Sequence, residues 1–320
     1  MTSRNDFEFH AVDLPHGQTV ELALPAASAD PVVKAYATGH ALNGYLIDLL
    51  LRFTQEGANV MDLGCHVGTM SVPAAALGRH VLAVDASPLH VEAVRRSAER
   101  NQLGTLKIRW CAVARERGEI AFNENGLWGM VWPPGKAPPD ALRVPALPSD
   151  ALVRDAGWSH IDFVKMDVEG SELAAIEGLA ALMTGEKAPV IVYESNGMTF
   201  ELFGYDIVEV RTRLEELGYV TCRIEHDRLV YCPPLQLQPE AWLDVVALPP
   251  RWHRVEALVT PEWTDDEIVA RCMEWGTNEH RNVREYLHKA FDSASEYPRS
   301  DARIIALRRD LDREFGSRAV

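Results

Sequence analysis

Between residues 40 and 235, short apolar runs alternate with longer stretches whose apolar positions recur at helical spacing. Short runs suit buried strands and the longer period suits helices packed by one face. The alternation therefore predicts an α/β fold, a largely parallel sheet with helices on its faces. Strands are expected at 59–64, 80–85, 106–112, 161–167 and 189–194, with a closing hairpin at 219–224 and 228–231. Ser87 followed by Pro88 predicts an N-cap and a first helical proline, opening a helix to about Asn101. A second helix is expected from Ser171 to about Met183, with Gly185 past its end.

Three stretches depart from this rhythm. Val20, Leu22 and Leu24 alternate with polar or small residues in a strand-like way near the start. Residues 123–148 carry too much Pro and Gly for a helix or a central strand, so a long functional loop is expected there. Beyond Pro239 the chain reads as helical: Thr264 and three acidic residues mark a start, Gly276 a stop, and Ile304, Leu307, Leu311 and Phe315 form a later stripe. The resulting division is an N-terminal segment at 1–35 packed on the core, a main domain at 36–236 and a helical extension at 237–320.

Composition narrows the partners. The 320 residues carry a net charge of −15, which disfavours a phosphate backbone, so nucleic acid is not expected as a partner. Five scattered cysteines (Cys65, Cys111, Cys222, Cys232 and Cys272) show no CxxC spacing and predict neither a disulfide framework nor structural zinc. The start lacks an apolar secretory core, and the run near Tyr45–Phe53 is broken by Asp48 and Arg52, so no membrane span is expected. A cytoplasmic protein fits these features, and a homodimer is compatible with them.

The chemistry begins at VMDLGCHVGTMSVPAAALG, residues 60–78. A strand ends near Asp62, and Gly64 and Gly68 flank a tight turn into a helix, whose free N–H groups suit an anion such as a carboxylate. The spacing Asp-x-Gly-x-x-x-Gly differs from the GxGxxG of nicotinamide enzymes. By itself the turn also fits an ordinary strand-to-helix loop. The next strand ends at Asp85, where a carboxylate can accept from a ribose diol or simply begin a turn. Together the two motifs point to a nucleoside at the carboxyl ends of a parallel sheet.

The third motif is IDFVKMDVEGSELAAIEG, residues 161–178. With DLGCHVG, VDASP, WCAVARERGEIAF (110–122), ALRVPALPSDAL and the late LGY, it resembles the FkbM family of S-adenosylmethionine-dependent methyltransferases over residues 40–235. The resemblance implies a class I methyltransferase (Rossmann-like) fold with a mostly parallel seven-stranded sheet and helices on both faces, here followed by the helical extension. It implies S-adenosylmethionine as cofactor and a hydroxyl of a small molecule (polyketide, sugar or glycolipid) as acceptor. Asp62, Gly64 and Gly68 match the methionine-binding turn, with His66 inside it as a cofactor contact. Asp85 matches the ribose acid, Ala86 follows it, and Ala112 matches the adenine edge. Asp167, Glu169 and Glu172 match an acidic cluster beside the transferable methyl.

An alcohol must lose its proton to accept a methyl group, and a placed base is worth roughly 10²–10⁴-fold. Asp167, Glu169 and Glu194 are the candidates for that base, while Lys165 is expected to pair with a neighbouring acid. Glu169 and Glu172 also fit plain helix N-terminal charge. An alternative is a Mg²⁺ ion held by Asp167, Glu194 and Asn196. Trp128, Met130 and Trp132 suggest a lid over the substrate or a surface excursion. In the tail, Trp242, Trp252, Trp263 and Trp275 suggest small-core packing, a dimer contact or a cap over the acceptor. The rival functions are a catalytically silent S-adenosylmethionine-binding protein and a nicotinamide-dependent dehydrogenase.

Overall fold

The computed structural model describes residues 6–26, 28–40, 44–225, 228–231 and 242–252. Strands β1 (Phe7–Asp13) and β2 (Thr19–Pro25) form an antiparallel hairpin, followed by α1 (Pro31–Ala37) and α2 (Gly44–Phe53). Asp30 starts α1 by accepting from the amides of Val32 and Val33, with Pro31 at the first helical position. The alternation then runs β3 (Asn59–Leu63), α3 (Ser71–Ala76), β4 (His80–Asp85), α4 (Pro88–Arg100) and β5 (Leu106–Trp110). An excursion follows through β6 (Ala112–Val113), β7 (Gly118–Asn123), β8 (Met130–Val131) and β9 (Leu142–Leu147). The chain returns through α5 (Ser149–Asp155), β10 (Phe163–Met166), α6 (Glu172–Leu179), β11 (Val190–Asn196), α7 (Gly197–Leu202) and α8 (Ile207–Glu216). It closes with β12 (Val220–Glu225), β13 (Arg228–Tyr231) and β14 (Trp242–Leu248).

The main sheet has the order β13-β12-β14-β11-β10-β3-β4-β5. Strands β11, β10, β3, β4 and β5 are mutually parallel, and β14 runs antiparallel between β11 and β12. Seven of these strands make the expected mostly parallel sheet, and β13 adds a short edge by hairpin. Strand order reverses between β3 and β10, so the carboxyl ends of those two strands open a crevice suited to a ligand. Period-two alternation along each strand feeds two cores. Val60, Val81, Phe163 and Val192 pack on the face with α2, α3 and α4. Met61, Leu82, Val164 and Tyr193 pack on the face with α5, α6 and α8.

The hairpin covers part of the first face, and α4 ties it down. The Ala23 amide donates to Ser97 Oγ at 2.8 Å, and Asn101 Oδ1 and Nδ2 engage the Glu21 amide and carbonyl at 2.9 and 2.7 Å. These side chains satisfy the backbone of β2 where it has no strand neighbour beyond β1.

Three expectations are corrected. The strand expected over 106–112 breaks at Cys111: its amide donates to Asp85 O at 3.0 Å, and β6 turns away into a second sheet. Residues 123–148, expected as a loop, contain β8 and β9, and the second sheet has the order β6-β9-β7-β8. Pro145 is tolerated in β9 because β6 pairs only with Ala146 and Leu147, so no neighbour on that side misses its N–H. The segment after Pro239, expected to be helical, holds β14, with Val245, Val246, Ala247 and Leu248 all buried. A strand buried on both faces reads as an unbroken apolar run, which periodicity does not separate from a buried helix. The sheet thus extends past the boundary expected at 236. The helices expected at 264–276 and around 304–315, with Trp263 and Trp275, lie outside the described residues.

Candidate active site

The crevice begins at the turn after β3. Gly64 takes φ +73, and a Cβ there would sit 1.7 Å from the Asp167 carbonyl oxygen, so two strand ends meet with no room for a side chain. The amides of Gly64 and Cys65 donate to Val84 O at 2.9 and 3.0 Å, and Lys165 Nζ donates to Gly64 O at 2.6 Å. Gly68, φ +86, lies against Val72 and Val94, which makes it a packing glycine between α3 and α4. Asp62 is buried behind the turn, where its Oδ2 accepts from Ser71 Oγ at 2.6 Å and its Oδ1 lies 3.6 Å from Lys165 Nζ.

Asp85, at the tip of β4, is heavily used by the protein itself. Its Oδ2 accepts from the His66 amide at 2.8 Å, while Oδ1 accepts from the Ser87 amide at 2.8 Å and faces His90 Nδ1 at 3.3 Å. Burial pushes its pKa up, but the His90 charge and hydrogen bond and the Ser87 amide outweigh it, and the net direction is downward. Burial acts on His90 in the opposite sense, and the Asp85 charge outweighs it to raise the imidazole. Each carboxylate oxygen has about two lone-pair sites, so only Oδ2 keeps capacity for a further donor.

Opposite lies an acidic end. Ligand oxygens of Asp167, Glu169 and Glu194 all fall within 4.8 Å of one another. Glu169 adopts a left-handed backbone, φ 47, ahead of Gly170 at φ 98. It is buried, and its Oε2 has no hydrogen-bond partner among the described residues. Burial, then the charges of Asp167 and Glu172, push its pKa up to about 8, against a smaller pull from Lys165. Asp167 Oδ2 lies 3.3 Å from Lys165 Nζ, which Asp167 and Asp62 hold in its charged form despite burial. Glu194 faces Asp244 across β11 and β14, and the Tyr45 hydroxyl donates to Asp244 Oδ2. Burial raises the Asp244 pKa to about 6.

The pocket between these ends is lined by Gly64, His66, Asp85, Ala86, Ala112, Asp167 and Glu169 among the expected residues. Asp62 and Gly68 sit one layer behind it and support the turn. Glu172 belongs to its own loop, accepting from the amides of Val168 at 3.0 Å and Gly170 at 2.9 Å. Asn196 caps α7, its Oδ1 accepting from Thr199 N at 3.4 Å, while Asp167 and Glu194 of the expected Mg²⁺ set lie together. Lys165 pairs with acids as expected. Of the residues expected in a lid, Met130 lines the pocket, together with Phe122, Gly126, Gly129 and Val131 of the same excursion. Trp128 remains exposed, and Trp252 packs edge-on against Phe53. Sequence reading missed Asp30, Tyr45, His90 and Asp244. Only His90 carried a local signal, since the Ser87–Pro88 cap sets it in the first turn of α4, beside the tip of β4.

A family model described as the methyltransferase FkbM domain matches residues 57–221, just over half of the chain. A ribosomal protein L11 methyltransferase of Dechloromonas aromatica is 40% identical over 74 residues, covering 22% of this chain and 25% of that protein. A ubiquinone biosynthesis O-methyltransferase of Methylocella silvestris is 36% identical over 66 residues, 21% of this chain and 25% of that protein. The chain thus spans about a quarter of the length of the curated relatives it matches. Among solved structures, a magnesium protoporphyrin IX methyltransferase of Synechocystis with bound SAM aligns over 70% of this chain and 86% of its own, with 18% identity and a TM-score of 0.39. Among the described residues no helix is long and apolar enough to cross a membrane.

Proposed function

This chain belongs to the FkbM methyltransferase family, and on that premise we propose that it transfers a methyl group from S-adenosylmethionine to a hydroxyl oxygen of a small molecule. The carrying observation is Glu169, a buried carboxyl at the pocket's acidic end whose Oε2 has no hydrogen-bond partner among the described residues and whose pKa is raised to about 8. A base is most effective when its pKa lies near the working pH, and an alcohol is the acceptor that needs one.

The pocket's residues fit the cofactor. Gly64 and His66 would hold the methionine end, the remaining capacity of Asp85 Oδ2 one ribose hydroxyl, and Ala86 and Ala112 the adenine. When bound, the cofactor supplies an electrophilic methyl group on a cationic sulfur. A bare carboxylate against that sulfur would stabilise the ground state and slow transfer. Lys165 mutes Asp167 in this respect by pairing with it. Glu169 is then left to take the acceptor proton, with Glu194 and Asp167 near enough to orient the hydroxyl.

Isotope-labelled S-adenosylmethionine offered with panels of hydroxyl- and amine-bearing small molecules tests this reading. Label is expected on oxygen. Label on nitrogen or carbon would overturn the acceptor assignment, and binding of cofactor without turnover on any acceptor would favour a silent binding protein.

A further inference from the structure

A second group of side chains meets where the N-terminal segment touches the glycine turn and α4. Asp30, His66 and His90 each offer one ligand atom, and these atoms lie within 4.8 Å of one another. Asp30 Oδ2 is 3.0 Å from His66 Nε2, and the two imidazole rings meet edge to face with centroids 4.3 Å apart. All three side chains are largely shielded, at 5%, 14% and 8% exposure for Asp30, His66 and His90.

Each group is also held from behind. Asp30 Oδ1 accepts from the Val32 and Val33 amides at 2.8 and 3.2 Å, which aims Oδ2 at the histidines. His66 is fixed in left-handed backbone, φ 50, by its amide's hydrogen bond to Asp85. His90 Nδ1 faces Asp85 Oδ1 at 3.3 Å, and in the neutral tautomer that donates there Nε2 is the ring nitrogen with a lone pair to offer. A carboxylate behind an imidazole is the usual support of a metal-bound histidine, setting its tautomer and raising its basicity.

We propose that Asp30, His66 and His90 form a binding site for a divalent transition-metal ion of the zinc class. Two imidazoles and one carboxylate are a borderline donor set that suits zinc, cobalt or nickel better than magnesium or calcium, which prefer oxygen alone. The all-oxygen group of Asp167, Glu169 and Glu194 is separate from it. Three protein ligands would leave a coordination position open beside the pocket that His66 and His90 line.

The test uses the full chain, stripped of metal by a chelator and dialysis, and titrated with Zn²⁺ against a chromophoric competitor and with Co²⁺ by visible absorption. One ion per chain is expected, with cobalt bands of nitrogen and oxygen ligation. Asp30→Asn, His66→Asn and His90→Gln should each weaken binding at least about tenfold. Asn keeps both the helix cap at 30 and the left-handed backbone at 66, so these two variants stay informative if His90→Gln fails to fold. Absence of stoichiometric uptake, unchanged affinity in the folded variants, or a thiolate charge-transfer band placing cobalt on cysteine would each overturn the site.

Discussion

At the scale of single residues, the proposed chemistry rests on Glu169. Its pKa of about 8 means that the carboxyl is protonated in most molecules at neutral pH and becomes a base as pH rises. Turnover should therefore climb with an apparent pKa near 8, and Glu169→Gln should cut the rate by roughly 10²–10⁴-fold and flatten that climb. A rate independent of pH between slightly acid and alkaline buffers would remove Glu169 from the role. The same shift bears on stability. A carboxyl whose pKa is raised on folding adds stability that is whole below its unfolded pKa of about 4.5 and is lost as pH rises through about 8. Melting curves should accordingly show Glu169→Gln gaining on the parent protein in alkaline buffer and losing that advantage in acid.

Lys165 and Asp85 give complementary tests. Lys165→Met leaves Asp62 and Asp167 without their shared buried countercharge, and a loss of about 3–5 kcal/mol is expected by urea denaturation. Asp85→Asn should weaken cofactor binding by about 1.5–3 kcal/mol in calorimetry, the worth of one charged hydrogen bond. Both residues were legible in the sequence because each sits in a strand-end motif with fixed spacing. Asp30, Tyr45 and Asp244 were not, since they reach the site from an N-terminal segment, a neighbouring helix and a late strand that carry no motif of their own. Glu172 was open to two readings, the family's acidic cluster and helix N-terminal charge, and it stands in the first turn of α6. Its position in the motif suggested chemistry, yet its two oxygens are used by the amides of Val168 and Gly170.

At the scale of elements, strand positions were read well where one period dominated. The strand at 80–85 and the helix after Ser87 stand where apolar spacing and cap chemistry put them. The misreadings came from elements that break a local rule for a tertiary reason. β9 carries a proline beside a partner too short to need its N–H, and β14 hides its strand character by being buried on both faces. The β3 turn gives a sharp test of element packing. Gly64→Ala would drive a methyl group into the Asp167 carbonyl, so the variant should lose more than the roughly 1–3 kcal/mol of ordinary left-handed strain, measured by thermal unfolding. Ending the chain at Pro239 removes β14 and should yield aggregated protein in a solubility assay, because β11 and β12 each lose a neighbour.

For the whole molecule, the organising fact is the reversal of strand order between β3 and β10, which opens the crevice that both ends of the pocket share. The hairpin and α1 close one flank through Asp30, and β14 closes the other by bringing Asp244 beside Glu194. Because β14 is the last strand in the described sequence yet fills an interior slot, its place stays vacant until it emerges from the ribosome. A nascent copy therefore carries an open seam through its middle from the emergence of β12 until β14 follows it. The same late event that seals this seam sets Asp244 beside Glu194, so a product interrupted before it has neither the seal nor that pair.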